Sequence, residues 1–110
     1  MRRAPGRRGP EGRLQDATIE ALKRAGFWCW AVTSGTYVRS GRTYAAAPAG
    51  TPDIRIEPFG WLEGKVPKTP KLREAQRLWH EKARRFGTRV AKYTSVPEAL
   101  NIANAWRNER

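Results

Sequence analysis

Apolar residues recur at helical spacing from Glu11 to Ala25, at Leu14, Ala17, Ala21, Leu22 and Ala25, and predict an amphipathic helix. Gly26 supplies its stop, and Lys23 and Arg24 fall in the last turn, where they suit the helix dipole. The aromatic run Phe27 to Thr33 (FWCWAVT) reads as a buried strand. A hairpin is expected over Thr36 to Ala45, turning at Ser40-Gly41, followed by a Pro/Gly loop from Ala46 to Pro52. Asp53 to Glu57 alternates strictly, with Ile54 and Ile56 on one face and Asp53, Arg55 and Glu57 on the other. Pro58-Phe59-Gly60 then turns into a strand over Trp61 to Val66, tightly enough to make the two strands antiparallel neighbours.

Beyond a rigid loop at Pro67 to Pro70, Leu72, Ala75, Trp79, Ala83 and Phe86 form the apolar stripe of a long helix over Lys71 to Phe86, stopped by Gly87. A strand over Arg89 to Thr94 follows. Ser95 and Glu98 make a capping box for a final helix with Pro97 in its first turn and Ala99, Leu100, Ala103 and Trp106 on its apolar side. This order predicts an α/β fold, a central mixed sheet flanked by helices, with a right-handed parallel crossover through the long helix.

Length and charge narrow the classes. The 110 residues suit one domain, expected over residues 11–110 behind a flexible basic arm at residues 1–10 (MRRAPGRRGP). Lys plus Arg number 22 against 10 acids, a net charge of +12, which calls for a polyanion, most simply a nucleic acid. No apolar run approaches the ~20 residues that span a bilayer, and the basic N-terminus is not followed by the hydrophobic stretch of a secretory signal. Cys29 is the only cysteine and His80 the only histidine. A disulfide scaffold and a cysteine-based zinc site are therefore excluded within one chain, and a reducing cytoplasm is expected. Any metal must rest mainly on carboxylates, which favours a hard ion such as Mg²⁺.

Most of the ten acids lie on helices among basic neighbours; Asp53 and Glu63 do not. Asp53 opens one strand behind Gly50-Thr51-Pro52, and Glu63 sits inside the next. Lys65, two residues on, shares the face of Glu63, about 7 Å away along the strand. Across an antiparallel pair the two carboxylates can share a divalent ion, which polarises a phosphate and activates a bound water, while a lysine steadies the developing charge. That chemistry hydrolyses phosphodiesters and needs neither histidine nor cysteine.

Gly50-Thr51-Pro52-Asp53 followed by Glu63-Gly64-Lys65 resembles the PD…ExK motif of the PD-(D/E)XK nuclease superfamily. PKTPKLREAQRLWHEKARRFGTRV (Pro67 to Val90) narrows the resemblance to the VRR-NUC family: a Lys/Pro-rich loop, a helix with Gln76 and the aromatic Trp79, then Gly87 and a strand at Val90. Glu11-Gly12-Arg13-Leu14-Gln15 is similar to that family's opening helix. The likeness covers roughly residues 11 to 100, so the chain resembles the stand-alone, phage-type form. It implies a restriction-endonuclease-like core and a Mg²⁺- or Mn²⁺-dependent endonuclease. Asp53, Glu63, the Gly64 carbonyl and the auxiliary Glu11 would be metal ligands, Lys65 would act on the water or the transition-state charge, and Gln76 would reach the site from the long helix. It also implies a homodimer cutting Holliday junctions or other branched DNA in a prokaryotic or phage-infected cell.

Plainer readings stand beside these. Glu11 also suits a helix N-terminus as a carboxylate facing the dipole. Gln76 falls on the inward face and needs a polar partner, for which a carboxylate or lysine of the site would serve. His80 reads as a surface or partly buried histidine rather than a general base. Trp28 and Trp30 read as core or dimer interface rather than base-stacking platforms. Asp16, Glu20, Glu74 and Glu81 read as surface charges. From Lys68 to Lys92 nine Lys/Arg face only Glu74 and Glu81. Of these, Lys68, Lys71, Arg73, Arg77, Arg84 and Arg85 are the expected phosphate contacts, and such contacts confer affinity rather than sequence choice. A nuclease for flaps, single strands or duplex ends, or a non-catalytic basic DNA-binding module, would carry much of the same pattern.

Overall fold

The computed structural model describes residues 9–32 and 35–109. It is a mixed α/β structure: α1 (Pro10–Arg24), β1 (Trp28–Ala31), β2 (Gly35–Arg39), β3 (Arg42–Ala47), β4 (Ile54–Glu57), β5 (Gly60–Gly64), α2 (Glu74–Arg85), β6 (Val90–Tyr93) and α3 (Val96–Asn108). Eight of the ten residues assigned to the basic arm, and Thr33 at the end of the expected first strand, lie outside the described residues. No described helix is long and apolar enough to cross a membrane.

Four strands form one sheet in the order β1-β4-β5-β6. β1 with β4 and β4 with β5 are antiparallel, whereas β5 and β6 run parallel, joined by the α2 crossover. The expected hairpin is present as a separate two-stranded sheet of β2 and β3. Ser40 and Gly41 both have positive φ, 53° and 75°, as a two-residue turn matching the twist of its strands requires.

One face of the four-stranded sheet carries the core. Ile54, Ile56, Leu62, Cys29 and Tyr93 are buried there with Leu22 of α1 and Ala99 and Ala103 of α3. The clean alternation of β4 placed both isoleucines at 0% exposure. At the start of α3, Ser95 Oγ accepts from the Glu98 N–H at 3.2 Å, as expected of a cap. The Glu98 carboxylate reaches one residue further out than the usual reciprocal box, to the Thr94 N–H at 2.6 Å.

Three expectations are corrected. β1 is not a buried strand: it lies at the sheet edge with only Cys29 inward, and Trp28 and Trp30 are 68% and 39% exposed. They are not core, because α1 packs on the opposite face of the strand, where Cys29 points. The long helix begins at Glu74 rather than Lys71, and its inward face is Gln76, His80 and Ala83, while Ala75 and Phe86 are exposed. The apolar stripe misjudged the face by about one residue because two inward positions are polar. His80 is consequently not a surface residue but fully buried, at 1% exposure.

Candidate metal centre

Four separate segments meet where β4 begins and β5 ends. Asp53 stands one residue before β4. It follows Thr51 and Pro52, both buried, in a loop tightened by Thr51 Oγ1 donating to the Pro48 carbonyl at 2.6 Å. Gly50 adopts a φ of +88°, and a Cβ there would lie 2.2 Å from the Ala75 carbonyl oxygen. The loop is thus pressed against the first turn of α2, a closeness only glycine permits. At the other end the Asp53 carbonyl accepts from the Val32 N–H at 2.8 Å. Asp53 is therefore fixed from both sides before its side chain is considered.

Glu63 sits inside β5 at 3% exposure. Its Oε2 accepts from Gln76 Nε2 at 3.0 Å, and Gln76 Oε1 in turn accepts from the Arg73 N–H at 2.8 Å. Gln76 therefore spans the helix start and the carboxylate, which satisfies the need for a polar partner noted from its inward position. The Gly64 N–H donates to Asp53 Oδ1 at 3.3 Å, tying the end of β5 to the start of β4. Glu11, in the first turn of α1, completes the group: one carboxylate oxygen each from Glu11, Asp53 and Glu63 lie within 4.8 Å of one another. Lys65 is 4% exposed, with its Nζ 4.0 Å from Glu11 Oε1. The chain remains on the sheet there, since the Lys65 N–H donates to the Tyr93 carbonyl at 2.9 Å.

These environments shift the acids strongly. Burial pushes the Asp53 carboxyl up to about 6, opposed in part by the Gly64 N–H. Burial, then the charge of Asp53, pushes Glu63 up to about 8, with Lys65 pulling it back. Three carboxyl groups crowd beside one amine, and two of them have raised pKa values that a bound cation would bring back down. All-oxygen donors of this kind suit a hard divalent cation rather than a soft one.

The structure also gathers groups that the sequence did not flag. Tyr93 Oη lies 2.7 Å from where a Cβ on Gly64 would be, so position 64 has no room for a side chain. Burial, then Asp53, raises the pKa of this phenol. The hydroxyls of Tyr93 and Thr18 are buried neighbours, and neither is in a hydrogen bond of ordinary geometry. Thr18 lies seven residues after Glu11 on the same helix, a spacing that could have linked them. His80 Nε2 is likewise buried without a partner, and burial followed by Arg84 holds its pKa down to about 4. It is a neutral ring one turn beyond Gln76.

The expected phosphate contacts Lys68, Lys71, Arg73, Arg84 and Arg85 are all exposed. Arg77 is exposed too, but its guanidinium is occupied by Glu74, at 2.7 Å, and by Glu81. Glu74 and Glu81 thus serve as ion-pair partners on the helix surface. Compared with family models, curated proteins and solved structures, the chain finds no match in any of the three.

Proposed function

We propose that this protein is a Mg²⁺- or Mn²⁺-dependent endonuclease that hydrolyses phosphodiester bonds in DNA, on a restriction-endonuclease-like core of the VRR-NUC kind. The observation that carries the reading is the convergence of Glu11, Asp53 and Glu63 within 4.8 Å beside the buried Lys65. These residues come from α1, the start of β4 and the end of β5. Asp53, Glu63 and Glu11 would hold the ion, with the Gly64 carbonyl as a further ligand implied by the resemblance. When bound, such an ion polarises the phosphate and makes a hydroxide available near neutral pH.

The remaining work falls to the protein's own groups. Gln76 and the Gly64 N–H each fix one carboxylate, so the ligands need no reorganisation. The Lys65 ammonium steadies the negative charge that grows on the phosphate or orients the attacking water. Exposed Lys68, Lys71, Arg73, Arg84 and Arg85 neutralise the flanking phosphates. By the same resemblance, the substrate is branched or structured DNA of the Holliday-junction type and the active form is a homodimer.

The test is cleavage of plasmid DNA and of labelled junctions, flaps, single strands and duplex ends with Mn²⁺ or Mg²⁺. Asp53→Ala and Lys65→Ala should each abolish cleavage while leaving DNA binding in place. Undiminished turnover in either variant removes the assignment. A wild-type protein that binds all these DNAs and cuts none is instead a basic binding module.

A further inference from the structure

The face of the sheet that bears Glu63 is only half covered. α2 lies over its β5 and β6 side, where Trp79 packs on Trp61 at a ring distance of 5.4 Å. Towards β1 the face carries Trp28 and Trp30, 68% and 39% exposed. Strand register sets Trp30 beside Arg55 and Arg55 beside Trp61, a row across three strands. The Arg55 guanidinium lies 5.1 Å from the Trp61 ring centre and pairs with the Glu57 carboxylate at 3.0 Å, Glu57 being the register partner of Trp28. Trp28 continues the row along β1, its ring 5.4 Å from that of Trp30. Trp61 precedes Glu63 by two residues on the same strand, so row and carboxylate share a face.

We propose that this row binds an unpaired nucleic-acid strand, with bases stacking on Trp30 and Trp28 and the strand leading towards Glu63. The inference rests on the nuclease reading and narrows its substrate from fully paired junctions to structures that carry an unpaired strand, such as flaps or single strands. Two adjacent exposed tryptophans suit unpaired bases, since every base has a π-face, whereas a duplex keeps those faces stacked inside. Charge selects the occupant. A second copy of this chain would bring its own +12 to the contact, while a polynucleotide brings the opposite sign.

The test uses the full chain in EDTA, where no turnover occurs, with a short labelled oligothymidylate and a hairpin-closed duplex of equal length. Trp28→Ala and Trp30→Ala should each weaken single-strand binding roughly tenfold. Duplex binding should be unchanged, and Trp→Phe at either position should restore most of the loss. The wild-type tryptophan fluorescence should be quenched by the oligothymidylate. Unaltered single-strand affinity in both alanine variants overturns the proposal, as does an equal loss for strand and duplex. A wild-type dimer that Trp30→Ala converts to a monomer also overturns it and assigns the face to a second copy. Because the readout is metal-free, failure here leaves the cleavage test standing. Conversely, absent cleavage with intact strand binding removes the nuclease reading alone.

Discussion

Glu63 is a carboxyl shut away from water, held by one amide and crowded by a second acid. A carboxyl whose folded pKa lies above its unfolded value holds a proton that the unfolded chain has released, so its contribution favours folding at low pH. For Asp53 and Glu63 that contribution is complete below about pH 4 and is lost as pH rises through about 6 and about 8. His80 runs the other way. Its folded pKa near 4 lies below the ordinary 6.5, so its contribution is present above pH 6.5 and lost as pH falls towards 4. The opposed trends are separated by Glu63→Gln, which keeps the shape and an acceptor for Gln76 but never ionises. In EDTA at pH 8 this variant should melt at a higher temperature than the wild type. Mn²⁺ should raise the wild-type melting temperature markedly and the variant's much less. A variant less stable than the wild type at pH 8 without metal would contradict this account of the site. Mn²⁺ binding at pH 7 should also release about one proton, as ligands must deprotonate to bind, seen as a buffer-dependent heat by titration calorimetry. Gln76→Ala leaves a buried carboxyl without its donor and should cost about 1–3 kcal/mol in urea unfolding. An unchanged midpoint would mean that the amide holds nothing.

At the level of elements, the site depends on how the loop before β4 docks against α2. Gly50→Ala places a methyl group 2.2 Å from the Ala75 carbonyl at a φ of +88°. The collision should cost roughly 1–3 kcal/mol, with about 1 kcal/mol more for the left-handed backbone. It should also push the helix start, and with it Gln76, away from Glu63. Thermal melts measure the first effect and Mn²⁺ affinity the second; a fall in stability with full metal affinity would show that the loop is not what positions the carboxylates. The same segments show what was legible in the sequence. β4 and β5 could be read directly, because strict alternation and a short turn fix both faces and pairing. Asp53 and Glu63 therefore came together as expected. The inward face of α2 could not, because a site helix that buries Gln76 and His80 violates the rule that apolar residues mark the core side. β1 misled for the opposite reason: its tryptophans look like core, yet their exposure depends on which face of the sheet the preceding helix packs against. Glu11 was found by motif likeness alone, since no local pattern distinguishes it from an ordinary acid at a helix start. The meeting of Tyr93 with Thr18 gave no local signal at all, being a contact between a helix and a strand far apart in the chain.

On the scale of the whole molecule, a net charge of +12 contrasts with one gathered group of three acids. On the proposed reading, the basic surface would attract a polynucleotide backbone, and a cation held by the three acids would let a phosphate come close. The attraction should be additive where cations are free and weak where they are already paired. For duplex DNA each neutralised phosphate contributes about 0.9 to the slope of log affinity against log salt. Lys68→Ala, Lys71→Ala, Arg84→Ala and Arg85→Ala should each lower that slope by up to about 0.9, with little change between DNA sequences. Arg77→Ala should lower it far less, because Glu74 and Glu81 already take up its charge. Filter binding or fluorescence anisotropy across a salt series, with the metal chelated, measures both. If Arg77→Ala flattens the slope as much as Lys68→Ala, the helix ion pairs open on DNA and the exposed side of α2 meets the duplex. If none of the four lysine and arginine variants moves it, the proposal that this surface contacts DNA falls.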